Sequence, residues 1–252
     1  MKLKKLNRFN LIMGSFHAVQ GLVVWLISND SSREITLGYL GFNEATETLE
    51  PASRTLFDVQ LGPLVAAFFF LSAIAHFYVA TVGRKTYEAN LKKGINKARW
   101  YEYSLSASLM IVLIAMLSGI FDAGTLLALF GLTAVMNLMG LVMEVHNQTT
   151  ERTSWLSYNA GVLAGIIPWL VIAMVLWAGE TAGDGDIPAF VYGIFVSLFL
   201  FFNTFAINMV LQYKKIGKWA DYLYGERAYI ILSLVAKSVL AWQIYGGTLQ
   251  PV

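Results

Sequence analysis

The chain has 252 residues, of which 57% are hydrophobic and only 13% charged, and it contains no cysteine. Soluble domains carry about 25% charged residues, so a water-covered globule is excluded. Also excluded are a disordered chain, which needs low hydrophobicity, and any disulfide, Cys-ligated zinc or iron–sulfur centre. The formal net charge of +2 is too small to point to nucleic acid, which leaves an integral membrane protein in a lipid bilayer.

A helix needs roughly 20 mostly apolar residues to cross the hydrocarbon. Seven runs meet this need, at about 11–28, 59–82, 100–121, 123–145, 156–178, 187–211 and 228–245. The first begins with basic residues like a signal peptide, but His17 and Gln20 interrupt it and no small-x-small cleavage site follows. It therefore reads as a span. Between the first two spans, Ile35, Leu37 and Tyr39 alternate with Thr36 and Gly38, which predicts a short β-hairpin in the first outer loop. That loop serves either as a solvated lid or as a partner or dimer surface. Only Asp122 and small residues part the third and fourth spans, so these form a tight helical hairpin. With no repeat or linker, residues 1–252 read as one all-α, seven-transmembrane-helix bundle.

The loop charges divide when assigned to alternating sides. Lys2, Lys4, Lys5, Arg8, Arg84, Lys85, Lys92, Lys93, Lys97, Arg99, Arg152, Lys214, Lys215, Lys218 and Arg227 fall on one side, Arg33 and Arg54 on the other. The positive-inside rule then predicts a multi-pass protein of the cell membrane, with a cytoplasmic N-terminus and an extracellular C-terminus. The outer segments are acidic, with Asp30, Glu34, Glu44, Glu47, Glu50, Asp58, Asp122, Glu180, Asp184 and Asp186. The basic surface offers a dock for anionic lipid or a soluble partner.

Lys237 lies mid-way along the seventh run, in Ser233–Leu234–Val235–Ala236–Lys237–Ser238. An ionised lysine at that depth costs several kcal/mol. Either end of the span is about ten residues away, roughly 15 Å at 1.5 Å per residue, beyond the reach of snorkelling. Desolvation disfavours the ammonium, and a neutral amine attacks carbonyls. A chromophore-bearing lysine is therefore the favoured reading, with an ion pair to another helix as the competitor. Glu102 is the one carboxylate well associated with a span, while Asp122 and Glu144 sit at span edges. By elimination Glu102 is the counter-ion of any cation on Lys237. The two meet only if the third helix begins near Gly94 and draws Arg99 into the membrane, where Arg99 and Glu102, three apart on one face, would enter as a pair.

Seven spans with a lysine in the last, an inward N-terminus, and the segments Arg99–Trp100–Tyr101–Glu102–Tyr103–Ser104–Leu105–Ser106, Gly225–Glu226–Arg227–Ala228–Tyr229 and Ser233–Ser238 resemble a heliorhodopsin. Phe16–His17, Ala75–His76–Phe77, Pro168–Trp169 and Ser197–Asn203 extend the resemblance through nearly the whole chain. The resemblance implies all-trans retinal on Lys237 as a Schiff base, with Glu102 as counter-ion. It further implies a homodimer and a slow photocycle suited to signalling, without enzyme activity. Pumping is not expected. Where proton pumps carry an acid, a hydroxyl and a second acid on the third helix, this chain has Glu102, Ser106 and Leu113, and Ser233 replaces a further carboxylate.

The resemblance also places a proton-accepting cavity around His17, Gln20, Ser72 and His76, beside Arg99 and Tyr103. Plain interhelical hydrogen bonding is the alternative for these groups. Two histidines with Glu102 are a weak zinc signal, and no metal is expected. Met110, Met136, Gly140, Trp169, Phe202 and Trp242 resemble ring-packing positions of a retinal pocket, although such residues commonly form core. Asn203 and Ser233 are expected near the Schiff base or bracing the last helix. Gly161 and Gly165 permit close helix contact, within the chain or across a dimer. Two functions from other classes remain: a light-driven ion transporter, and a retinal-free seven-helix transporter using a Lys237–Glu102 ion pair.

Overall fold

The computed structural model describes residues 2–182 and 187–250; the expected outer acids Asp184 and Asp186 lie outside them. The chain runs through α1 (Lys2–Ile27), β1 (Ser32–Asn43), β2 (Thr48–Gln60), α2 (Leu61–Ala80), α3 (Arg84–Lys92) and α4 (Lys97–Leu117). It continues through α5 (Ala123–His146), α6 (Leu156–Ala182), α7 (Ala189–Tyr213) and α8 (Tyr222–Ile244). All but α3 are long and apolar enough to cross a membrane, seven helices among the described residues. The seven predicted runs correspond to these helices.

Neighbours in sequence pack side by side, α1 on α2, α4 on α5, α5 on α6 and α7 on α8. The contacts α2–α4 and α1–α8 bring the two ends of the chain together. Small residues set the closest approaches. A Cβ added at Gly14 would lie 3.1 Å from the His76 Cβ, and one at Gly21 would lie 3.0 Å from the Phe69 Cβ, so α1 lies directly against α2. Gly161 and Gly165 face Met136 and Met139 of α5. Their contact in this chain is therefore intramolecular. Between α6 and α7 the contact is made by aromatic side chains, Trp169 meeting Phe195, Phe199 and Phe202 edge-on.

The hairpin is present and longer than its predicted core. β1 and β2 pair antiparallel from Ser32↔Gln60 to Asn43↔Thr48, with a bulge between Ile35 and Thr36. Ile35 is buried in the bundle core, whereas Tyr39 is half exposed. The expected inward alternation thus stops after Ile35, because the ribbon extends past the helices and has no core to face. Its base is pinned to α5. Thr36 donates its N–H to the Phe121 carbonyl, and Gly38 N–H reaches Asp122 Oδ1 at 3.3 Å. Asp122 also caps α5, accepting from Thr125 N at 2.7 Å. These bonds to the carboxylate hold Asp122 below the usual aspartate range.

α3 is an addition to the expected layout. It is a short amphipathic helix between α2 and α4 that buries Tyr87 and Leu91 against Leu6, Val79 and Ile230. It closes the basic end of the bundle, opposite the hairpin.

Candidate functional site

Lys237 is 3% exposed, one helical turn after Ser233 on the inward face of α8. Its Nζ donates to Ser233 Oγ at 2.9 Å and lies 3.4 Å from Glu102 Oε1. Ser72 of α2 donates to the same Glu102 oxygen at 2.6 Å. The Tyr103 ring centre lies 5.4 Å from Nζ, and Tyr103 Oη is turned away to donate to the Tyr229 carbonyl at 3.0 Å. Four residues from three helices thus fix the amine and its carboxylate.

The depth problem is resolved differently from the expectation. α4 begins at Lys97 rather than near Gly94, capped by Asn96, whose side chain accepts from Arg99 N. Arg99 does enter the bundle, at 7% exposure, but it does not pair with Glu102. Its Nη2 binds Glu144 Oε1 of α5 and its Nη1 binds Glu226 Oε1 of α8, while the guanidinium covers the Tyr229 ring at 3.9 Å. Glu144 and Glu226 are 2% and 1% exposed. Glu102 is therefore not the one buried carboxylate: Glu144, placed at a span edge by the sequence, and Glu226, absent from that elimination, are buried too. The signal was present: two acids near span ends on the side where a buried arginine needs partners.

Two cavities adjoin the Lys237 site, one lined by Lys237 itself and the other by its partners Ser233 and Glu102. On one side a polar cavity of about 40 Å³ is lined by Ser72, His76, Glu102, Tyr103, Ser233 and, farther on, Arg99. On the other an apolar cavity of about 50 Å³ reaches Lys237 between Met110, Met136, Phe202 and Ala236. It shares Tyr103, Met136, Asn137, Phe202 and Phe205 with a groove of about 140 Å³ running past Gly140 and Trp169 between α5, α6 and α7. Gly140 is required there, since a Cβ would strike the Trp100 ring.

Most expected residues converge here, but not all. His17 is fully buried and stacks on His76 at 5.4 Å; neither of its ring nitrogens has a partner among the described residues. His76 holds Asn10 Oδ1 at 2.8 Å through Nδ1. Gln20 is separate from this cavity and accepts from Trp242 Nε1 at 3.2 Å on the outside of the bundle. Trp242 is 41% exposed and lines neither apolar space, because its position on α8 faces away from Lys237. Asn203 is exposed and bonds the Phe199 carbonyl of its own helix at 2.8 Å. It borders the groove without touching Lys237 or α8. Ser106 is buried, its hydroxyl without a partner. His17, His76 and Glu102 do not form a metal-holding group, and no cluster of three such ligands occurs among the described residues. Asn137, a polar residue lining both apolar spaces, was missed; a lone amide in an apolar run reads as packing.

The heliorhodopsin family model matches residues 6–249. The chain belongs to the heliorhodopsin family. No curated protein matches it. Membership makes this heliorhodopsin a retinal-based light-sensing membrane protein, and the residues present fit that chromophore. A buried primary amine opens on an apolar, aromatic-walled space suited to a polyene, with a carboxylate on its other side to balance a cation on the nitrogen.

Proposed function

We propose that Lys237 carries all-trans retinal through an imine and that Glu102 balances the charge of the protonated nitrogen. The observation that carries this reading is the buried Lys237–Glu102 pair at 3.4 Å, with Lys237 lining the apolar cavity and Glu102 the polar one. The bound group supplies light absorption, isomerisation about a double bond and a proton on nitrogen. The chain supplies the rest. Ser72 orients Glu102 by its 2.6 Å bond, Ser233 offers a second partner to the nitrogen, and Trp169, Phe202, Met110 and Met136 exclude water from the apolar side. His76, with His17 stacked behind it, lines the polar cavity as a group able to take a proton.

A sensor without ion pumping follows from where the acids lie. Glu102 and Glu226 stand early on α4 and α8, and Glu144 late on α5. All three therefore occupy the basic half of the bundle. Toward the hairpin the interior around α4 is Met110, Ile111, Leu113 and Ile114, and no buried carboxylate occurs there among the described residues. A vectorial relay needs proton-holding groups on both sides of the nitrogen. One-sided acids favour a proton that leaves and returns slowly, giving a long-lived state. We assign the basic end, with the N-terminus, to the cytoplasm, where a signalling protein would read that state. The chain acts as a homodimer in this reading.

Substituting Glu102→Gln in retinal-loaded membranes tests the assignment. Loss of the counter-ion should shift the visible band strongly. An unchanged spectrum would remove Glu102 from the role.

A further inference from the structure

The polar cavity beside Lys237 does not stop at the counter-ion. From Ser72, Ser233 and Glu102 it continues to Asn96, Arg99 and Glu226 near the basic end. Its 40 Å³ give room for roughly three waters at about 15 Å³ each, and Glu226 thereby shares one cavity with Glu102 and Ser233, the partners of Lys237, among apolar walls from Ala75, Val79, Ala98 and Ile230.

The cluster at the far end is not charge-balanced. One guanidinium faces two carboxylates, all of them buried, so a single added proton brings the group to neutrality. The two carboxylates differ in the number of their donors. Glu144 receives three donors: Arg99 Nη2, the Asn96 backbone N–H at 2.8 Å and Tyr222 Oη at 3.2 Å. Glu226 receives two, Arg99 Nη1 and Asn96 Nδ2 at 2.8 Å. Glu226, with fewer partners, has more room to accept a further bond. It also lines the cavity, where Glu144 does not. Both comparisons select Glu226. The other titratable groups facing that space are Glu102, His76, Tyr87 and Tyr103, with Tyr229 beneath the guanidinium.

We propose that Glu226 is a second proton-holding site, exchanging a proton with the Lys237 site through the polar cavity, with Arg99 as the fixed cation beside it. In the exchange an N–H bond on the Lys237 nitrogen breaks and an O–H bond forms on Glu226. The nitrogen loses one positive charge, the cluster loses its excess negative charge, and Arg99 stays ionised against Glu144. The return is the reverse transfer. This inference rests on the Lys237 reading above, and it deepens the account of a proton that stays within the basic half.

The test uses the full chain with and without retinal. In the retinal-free protein, an infrared pH titration should show one buried carboxyl C=O band appearing as pH falls. That band should be absent in Glu226→Gln and retained in Glu226→Asp. In the retinal-loaded protein, the flash-induced return to the dark spectrum should slow at least tenfold in Glu226→Gln and stay within a few-fold of wild type in Glu226→Asp. Glu144→Gln leaves the cluster neutral and should move the band to lower pH and slow the return, which keeps the test available if Glu226→Gln fails to accumulate. A carboxyl band that persists in Glu226→Gln, or a return rate equal to wild type in both Gln variants, would overturn the proposal. Absence of any visible band in well-folded protein would instead defeat the Lys237 reading, and the retinal-free titration would still decide Glu226.

Discussion

Two buried charge sites stand in the same half of the bundle and are built in opposite ways. Arg99 is clamped by two carboxylates, stacked over Tyr229 and Trp100, and tied into Asn96. Lys237 meets one carboxylate at 3.4 Å and one hydroxyl, and it lines the apolar cavity. The chemistry of the cations matches the construction. A guanidinium stays charged and binds two acids through its fork, whereas an amine can give up its proton and react with a carbonyl. The more fully bonded site joins α4, α5 and α8, although Arg99 Nε has no partner among the described residues; the sparsely bonded one is the proposed retinal site. Burial of a charge therefore does not by itself mark function, and what distinguishes the two is the number of charged partners and the apolar space beside the Lys237 nitrogen.

The contrast is most sharply tested by breaking the Arg99 site. Arg99→Ala leaves two buried carboxylates without their cation, and removing one partner of a buried ion pair costs about 3–5 kcal/mol. The variant should fail to accumulate or unfold at markedly lower temperature in detergent. Arg99→Lys should rescue it poorly, because one ammonium cannot reproduce the fork between Glu144 and Glu226.

At the Lys237 site the expected loss is of pigment more than of fold. A Lys237→Met/Glu102→Gln double variant removes both charges together, which for buried pairs is often near neutral. Its thermal midpoint without retinal should stay close to wild type, while no visible band forms on adding retinal. A large loss of stability would make the pair a structural clamp like Arg99.

Smaller effects belong to the hairpin end. Asp122→Ala removes the α5 cap and the Gly38 contact and should cost about 1 kcal/mol, read by thermal unfolding. Because native bonding lowers the Asp122 pKa, its contribution is complete above the unfolded aspartate range. It is lost as pH falls through the lowered native value, so the gap between wild type and Asp122→Ala should close in acid. The smallest effect is expected at Trp242. Its outward position predicts that Trp242→Phe leaves the absorption maximum within a few nanometres of wild type, and a large colour change would return it to the pocket.

Much of this arrangement was legible in the residues. Spans follow from length and apolarity, and Lys237 stands out because nothing in its run tolerates a charge. The hairpin followed from the alternation at Ile35–Tyr39. What stayed hidden depended on which way a helix turns. Trp242 and Asn203 lie in apolar runs that read alike on every face, since a helix in lipid has no polar stripe to fix its rotation. Glu144 reads as an edge residue and Glu226 does not enter the elimination, because hydropathy measures depth along one helix. A partner on another helix that makes a charge affordable is outside its view. α3 escaped notice for the same reason: nine residues with two apolar anchors are too short to register as a span.

The most direct measurement is the visible spectrum of expressed membranes after adding all-trans retinal, beside a Lys237→Ala control. The account predicts a visible band in the wild type, bleached by hydroxylamine and absent from the control. A folded wild-type protein with no band, or a band that survives in Lys237→Ala, would contradict the assignment of Lys237 as the retinal-bearing residue.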